Sequence, residues 1–151
     1  MDKQNYFMSV AIKEAKKGIT SLHGGPFGAV IVKDNIIIAR AHNCVVKNND
    51  PTSHGEMNAI RKASKKLKTF DLSGCVIYTT GEPCPMCLGA ILWANISKVY
   101  YGANYNDTEM IGFRDKKFSE FDSKDFVVEL DRDKVLELYN EYNNIKERTS
   151  Y

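Results

Sequence analysis

Three side chains in two short segments could together hold a metal ion. The segment PCPMC carries Cys84 and Cys87, and the segment HGE carries His54 two residues before Glu56. Imidazole and thiolate are preferred ligands of zinc, and three protein ligands leave a fourth position for water, as in catalytic zinc sites. Zinc lowers the pKa of such a water. Glu56 could then move the proton without binding the metal.

The rest of the chain is predicted to alternate strands with helices. Apolar and β-branched runs predict strands at residues 27–33, 36–42, 75–80, 98–102 and 126–130. Helical spacing and capping residues predict helices from Asp2 to Gly18, from a cap at Thr52 or Ser53 through Leu67, at 85–94, near 107–111, and from about Asp133. The first two strands form a hairpin through Asp34-Asn35. Strands linked by helices require crossovers, so we expect a largely parallel sheet with helices on both faces.

These elements bring the three metal-binding side chains together. Cys84 and Cys87 lie three apart at the start of the helix at 85–94, so they share one face. His54 lies in the first turn of the preceding helix. Two helices that start at the same edge of a parallel sheet place all three side chains beyond the strand ends, where α/β proteins usually bind ligands. Helix N-termini also favour thiolates.

Other interpretations of the Cys-x-x-Cys pair are a redox centre and a structural zinc knuckle. A redox pair does not explain the HGE segment. A knuckle needs a fourth ligand, and the remaining cysteines and histidines are Cys44, Cys75, His23 and His42. We predict that Cys75 is a core thiol, that Cys44 is buried or idle, and that the two histidines are loop and surface residues. One catalytic zinc ion per chain explains both segments, and the H-x-E and P-C-x-x-C spacing is typical of zinc nucleobase deaminases.

Length and composition restrict the class of protein further. The 151 residues, 43% hydrophobic and 26% charged, predict a single globular domain over residues 1–151. The N-terminus has no long apolar stretch, so we predict a cytoplasmic chain with reduced cysteines and no membrane span. A net charge of +2 is too small to indicate a dedicated nucleic-acid binder.

The motifs resemble those of the zinc-dependent cytidine and nucleobase deaminase superfamily, and within it the bacterial guanine deaminases. The likeness runs through GGPFGAVIVKD, NDPTSHGEMNAIRKA, EPCPMCLGAI and GFRD to the terminal tyrosine. It implies a cytidine deaminase-like three-layer α/β/α sandwich with a five-stranded mixed sheet. It also implies a homodimer that exchanges a C-terminal segment, about residues 104–151, and the hydrolysis of guanine to xanthine and ammonia.

The resemblance also assigns roles to individual residues. It makes His54, Cys84 and Cys87 the zinc ligands and Glu56 the residue that transfers protons. Gly55 departs from the alanine that the family usually has in H-A-E, which loosens the start of the helix.

The substrate contacts follow from the same resemblance. Asn43 matches the residue that hydrogen-bonds the purine base, and Asp115 matches a carboxylate that approaches its exocyclic amine. Phe27 and Phe113 match apolar walls of the pocket, and Tyr151 matches a C-terminal cap over the base. Arg114 replaces an acidic residue of the family, and an Arg114–Asp115 pair would alter purine discrimination.

Two alternative functions keep part of this site. A tRNA adenosine deaminase shares the zinc motif but needs a basic surface near the C-terminus. The tail here contains many acidic residues, and the basic run RKASKKLK is read as the solvated face of the second helix. A non-catalytic zinc-binding module would not need Glu56. We therefore expect a purine base and water as partners, and neither nucleic acid nor a membrane.

Overall fold

The computed structural model describes residues 2–151, which fall into two compact units that divide after Ser119. The first unit contains four strands: β1 (Gly28–Lys33), β2 (Ile36–His42), β3 (Cys75–Gly81) and β4 (Lys98–Ala103). Its helices are α1 (Lys3–Thr20), α2 (Val45–Asn48), α3 (Gly55–Leu67), α4 (Pro85–Trp93), α5 (Tyr105–Met110) and α6 (Asp115–Ser119). The second unit, Glu120–Tyr151, contains α7 (Arg132–Asn143).

The sheet is mixed, with the strand order β2-β1-β3-β4. β1 pairs antiparallel with both β2 and β3, whereas β3 and β4 pair in parallel. The prediction of a largely parallel sheet was therefore wrong. The helices do connect strands of one direction, β2, β3 and β4, but the hairpin places β1 in the opposite direction between β2 and β3. The mixed sheet that the family resemblance implied is confirmed.

The fifth strand predicted at residues 126–130 is wrong, because the sheet has four strands within the described part of the chain. The backbone amides of Phe126 and Val127 instead bond to the carbonyl of Ser123, at 2.9 and 3.0 Å, in a turn. A β-branched run forms a strand only where another strand supplies its hydrogen bonds. No ladder reaches these residues, so their propensity has no effect on the backbone.

Helices cover both faces of the sheet, as predicted. The side chains of β1 alternate, with Ala29 and Ile31 in one apolar cluster and Val30 and Val32 in the other. The first cluster includes residues of α3 and α4, and the second includes residues of α1. Cys75 is fully buried in the first cluster, which confirms it as a core thiol.

The predicted caps were partly wrong. Asp2 precedes α1 as expected, but the helix continues beyond Gly18 to Thr20. The N-cap of α3 is His54 rather than Thr52 or Ser53. Both hydroxyls have other partners. Thr52 donates to Asp50 Oδ1 at 2.7 Å, and the Ser53 hydroxyl accepts from Asn48 of α2 and donates to Asn58 of α3.

The second unit exposes many large hydrophobic side chains. Its exposed large hydrophobic residues are Phe121, Phe126, Val127, Val128, Leu130, Val135, Leu136, Leu138, Tyr139, Tyr142, Ile145 and Tyr151. The apolar residues of α7 recur at helical spacing, as the sequence predicted. No helix within residues 2–151 combines the length and the apolarity that a membrane span requires.

Candidate active site

The two helices that carry the predicted metal ligands start at the same edge of the sheet. α3 follows β2 and α4 follows β3, and these two strands run in the same direction. His54 is the N-cap residue of α3, and Cys84 is the N-cap residue of α4. Pro85 occupies the first turn of α4, where its missing N–H is not needed. The first turn of α4 then presents Cys87 on the same side as Cys84.

The three side chains converge with a spacing that suits a zinc ion. His54 Nδ1 lies 3.6 Å from Cys84 Sγ and 3.5 Å from Cys87 Sγ. Tetrahedral zinc bonded to nitrogen and sulfur at ordinary lengths separates those two atoms by about 3.6 Å. All three ligand atoms lie within 4.8 Å of one another. The group can therefore hold zinc without rearrangement of the helices.

The electrostatics of this cluster favour one thiolate before any metal binds. Hydrogen bonds from the Cys87 thiol and from His54 lower the pKa of Cys84 to about 4. Because Cys87 donates to Cys84 and is buried, its own pKa is raised. The hydrogen bond to Cys84 also raises the pKa of His54. A metal cation that displaced the protons shared by Cys84, Cys87 and His54 would be bound by these same three side chains.

Glu56 lies beside the cluster in the first turn of α3 and is 6% exposed. Burial raises the pKa of its carboxyl group, while the Cys87 side chain and His54 oppose that shift. A buried carboxyl with a raised pKa next to a metal-binding cluster is suited to proton transfer near neutral pH. The structure thus brings together His54, Glu56, Cys84 and Cys87.

Asn43 lies at the end of β2 and is 4% exposed. Its side-chain Oδ1 accepts a hydrogen bond from the Val45 backbone amide at 3.0 Å, and the backbone N–H of Asn43 donates to the Phe27 carbonyl at 2.9 Å. The Gly24 backbone packs directly on the side chain, because a Cβ there would lie 2.1 Å from Asn43 Oδ1. These contacts fix one orientation of the amide.

The two predicted wall residues contact each other. The rings of Phe27 and Phe113 meet edge to face, with centroids 4.9 Å apart. Gly25 lies against both rings. The structure therefore brings these two aromatic side chains together at the start of β1.

Asp115 begins α6 and is partly buried. Burial and the negative charge of Cys84 raise the pKa of its carboxyl group, whereas His54 lowers it, so Asp115 lies within the electrostatic reach of the metal-binding cluster. Arg114 stacks its guanidinium on the Phe118 ring at 4.9 Å. Among the ion pairs of residues 2–151, none joins Arg114 to Asp115.

Two further predicted features are placed by the structure. Tyr151 ends the second unit with 80% of its surface exposed, and its role as a cap stays a prediction. Gly55 begins α3 close to β1, where a Cβ would lie 3.1 Å from the Phe27 carbonyl oxygen. The glycine thus relieves a close backbone contact, and its loosening of the helix start stays a prediction.

Tyr105 is a residue near the site that the sequence analysis missed. Its hydroxyl donates to the Pro83 carbonyl at 2.5 Å, and its amide donates to Glu82 at 3.3 Å. Burial and Glu82 raise its pKa to about 12, so the phenol remains protonated and keeps donating. The N-x-x-D pattern of Asn104 and Asp107, which forms a capping box on α5, was the available signal.

Comparison with known proteins gives concordant results. The sequence profile described as the cytidine and deoxycytidylate deaminase zinc-binding region matches residues 1–103. Guanine deaminase from Bacillus subtilis (strain 168) is 51% identical over 109 residues, which are 72% of this chain and 70% of that protein. A tRNA-specific adenosine deaminase from Aquifex aeolicus is 45% identical over 100 residues, 66% of each chain. The X-ray structure of the Bacillus subtilis guanine deaminase has a TM-score of 0.90, 39% identity, and coverage of 97% of this chain and 98% of that one.

Proposed function

The chain belongs to the zinc-binding cytidine and deoxycytidylate deaminase family, and we propose that it hydrolyses guanine to xanthine and ammonia. The observation that carries the choice of guanine is the extent of the structural likeness. The structural match to the guanine deaminase covers 97% of this chain with a TM-score of 0.90, whereas the structural match to a tRNA:A34 deaminase covers 68% of it with a TM-score of 0.65.

His54, Cys84 and Cys87 would hold the zinc ion, since their donor atoms have the chemistry and spacing of a three-ligand zinc site. When bound there, zinc supplies the Lewis acidity that makes water nucleophilic at neutral pH. The cluster lies at the N-termini of α3 and α4, and helix N-termini favour the thiolate form that binds metal.

Glu56 transfers the protons in the proposed reaction. Its carboxylate takes a proton from the attacking water and delivers it to a ring nitrogen of guanine. The water oxygen bonds to C2, which carries the exocyclic amine. Protons delivered to that amine then let ammonia leave, and the carbonyl of xanthine forms at C2. Burial raises the pKa of Glu56, and a raised pKa suits a carboxyl group that first accepts a proton and then donates it.

The remaining predicted contacts orient the base. Asn43 presents a fixed amide at the end of β2, which suits a hydrogen bond to a purine edge. Phe27 and Phe113 provide adjoining aromatic surfaces for its apolar faces. Asp115, held partly buried near the cluster, would accept from the exocyclic amine.

A substrate panel tests this proposal. The purified chain is incubated with guanine, adenine, cytosine and their nucleosides, and ammonia release is measured for each. We expect guanine to be the fastest substrate, and the Glu56→Gln variant, loaded with zinc, supplies the background. Preference for another base would reject guanine while leaving the deaminase assignment in place.

The 45% identity to a tRNA-specific enzyme makes tRNA adenosine the second candidate substrate. The basic residues of α3 are largely exposed, and Lys62 donates to the Arg40 carbonyl at 3.2 Å. Exposed basic side chains can contact RNA phosphates. A tRNA anticodon stem-loop is therefore the substrate to compare with guanine. Conversion of its adenosine to inosine at a higher kcat/KM than guanine deamination would select this second candidate.

We also propose that the chain forms a homodimer in the cytoplasm and exchanges its C-terminal segment, as the family resemblance implies. The exposed apolar side chains of the second unit support this idea, because a partner subunit could bury them. Sedimentation of the full chain tests the oligomeric state. A monomer at micromolar concentration would reject both the dimer and the exchange.

A further inference from the structure

A second cluster of metal-binding side chains includes both sequence neighbours of Asn43. It consists of His23, His42 and Cys44, whose ligand atoms lie within 4.8 Å of one another. His23 Nδ1 is 2.9 Å from His42 Nε2. The sequence predicts loop and surface positions for the two histidines, yet the side chain of His42 is only 17% exposed.

Three backbone features converge to form this cluster. His42 ends β2, and Cys44 is the N-cap residue of α2 directly after it. Residues two apart in an extended segment point to the same side, so His42 and Cys44 face one direction. His23 follows α1, and its carbonyl accepts from the Val46 and Lys47 amides, each at 3.0 Å. These bonds fasten the loop of His23 to α2.

A buried carboxylate orients the central histidine. Glu14 Oε2 lies 3.2 Å from His42 Nδ1, and the Glu14 side chain is only 8% exposed. In the neutral ring, an Nδ1–H that donates to this carboxylate leaves Nε2 as the unprotonated nitrogen that faces His23. Metal-binding histidines commonly use such a carboxylate partner, which fixes the tautomer and strengthens the ligand.

Glu14 is itself held in place by two cations. Lys17 Nζ lies 3.1 Å and Arg40 Nε 3.6 Å from its Oε1, so the other oxygen remains directed at His42.

We propose that His23, His42 and Cys44 bind a second divalent transition-metal ion of the zinc class, with Glu14 as the partner that orients His42. Two imidazoles and one thiolate are ligands that zinc accepts, and a water molecule can complete a tetrahedral set. Two zinc-bound nitrogens lie about 3.3 Å apart, so His23 needs to move by only a few tenths of an ångström. We expect weaker binding than at His54, Cys84 and Cys87, because Cys44 is only partly buried whereas Cys84 and Cys87 are buried.

The metal stoichiometry of the full chain tests this site. The protein is stripped with a chelator and then titrated with Zn²⁺ against a chromophoric competitor. We expect two equivalents for the natural sequence, and one for His23→Gln and for Cys44→Ser. Ser21→Gln and Val46→Ser are matched controls, because they change the same loop and helix without removing a ligand, and both should retain two.

Cobalt provides a spectroscopic test that does not depend on catalysis. In the Cys87→Ala variant, bound Co²⁺ should still give tetrahedral visible bands and a thiolate charge-transfer band. The Cys87→Ala/Cys44→Ser double variant should lack the charge-transfer band. If Cys87→Ala does not fold, the stoichiometry of His23→Gln decides alone. One equivalent of Zn²⁺ in both the natural protein and His23→Gln would overturn the proposal. Glu14, His42 and His23 would then form only a hydrogen-bonded network.

Discussion

Replacing Gly24 with alanine is expected to displace the side chain of Asn43 and to slow guanine deamination. The new Cβ would lie 2.1 Å from Asn43 Oδ1 and 3.0 Å from its Cγ. A carbon and an oxygen in contact are normally about 3.3 Å apart or more. The amide therefore has to retreat by roughly 1 Å, the difference between those two distances. A misplacement of about 1 Å in a positioning group can cost about 10²-fold in rate.

The same displacement has a small effect on stability. It breaks the bond of 3.0 Å from the Val45 amide to Asn43 Oδ1, whereas the backbone bond from Asn43 to Phe27 remains. A single hydrogen bond contributes about 0.5–1.5 kcal/mol, so the free energy of unfolding should fall by about that amount. The Gly24→Ala protein is thus expected to fold and to retain zinc at the first site.

Steady-state kinetics with guanine, zinc content and thermal unfolding together test this reasoning. We expect kcat/KM to fall by about 10² while zinc at His54, Cys84 and Cys87 is unchanged. Gly89→Ala is the matched control, because a Cβ there meets no atom within 4 Å. That change in α4 should leave the kinetics unaltered and add up to about 1 kcal/mol of stability. Unchanged kinetics in Gly24→Ala would refute the positioning role of Asn43.

Three further predictions concern the proton-transfer residue, a metal ligand and the C-terminal residues. Glu56→Gln should keep zinc and the fold but lose about 10²–10⁴ of the turnover, measured as ammonia release, and near-normal turnover would reject its proton-transfer role. Cys87→Ala should lose the zinc of the first site by metal analysis, and retention of that zinc would reject the ligand assignment. A chain ending at Arg148 should raise KM for guanine while zinc content and circular dichroism stay unchanged, whereas identical kinetics would leave Tyr151 without a role.

The metal-binding cluster could be predicted from the sequence because its constraints are local. Cys84 and Cys87 share a helix turn, and His54 and Glu56 share another. The remaining condition was that both helices start at one edge of the sheet. That condition holds because β2 and β3 run in the same direction, although the sheet is not largely parallel. An error in strand pairing therefore did not displace the predicted site.

The errors arose where structure depends on distant partners. The run at residues 126–130 has high β-propensity, but a strand exists only beside another strand, and the sheet ends without it. Thr52 and Ser53 have good capping chemistry, but their hydroxyls bond within the preceding loop and to Asn58. His54 becomes the N-cap residue, which directs its imidazole toward α4. Local propensity cannot resolve such competition between partners.

The second histidine cluster shows a signal that was present in the sequence but not used. Glu14 falls on the buried face of α1, between Ala11 and Ala15 and one turn before Gly18. A carboxylate on an apolar face is costly unless a partner meets it there. Gly18 leaves room for that partner, since a Cβ at this position would lie 2.8 Å from the His42 ring. A charged residue within an apolar stripe, followed by a glycine on the same face, thus indicates that a polar side chain from another element packs against the helix there. In this protein that side chain is His42.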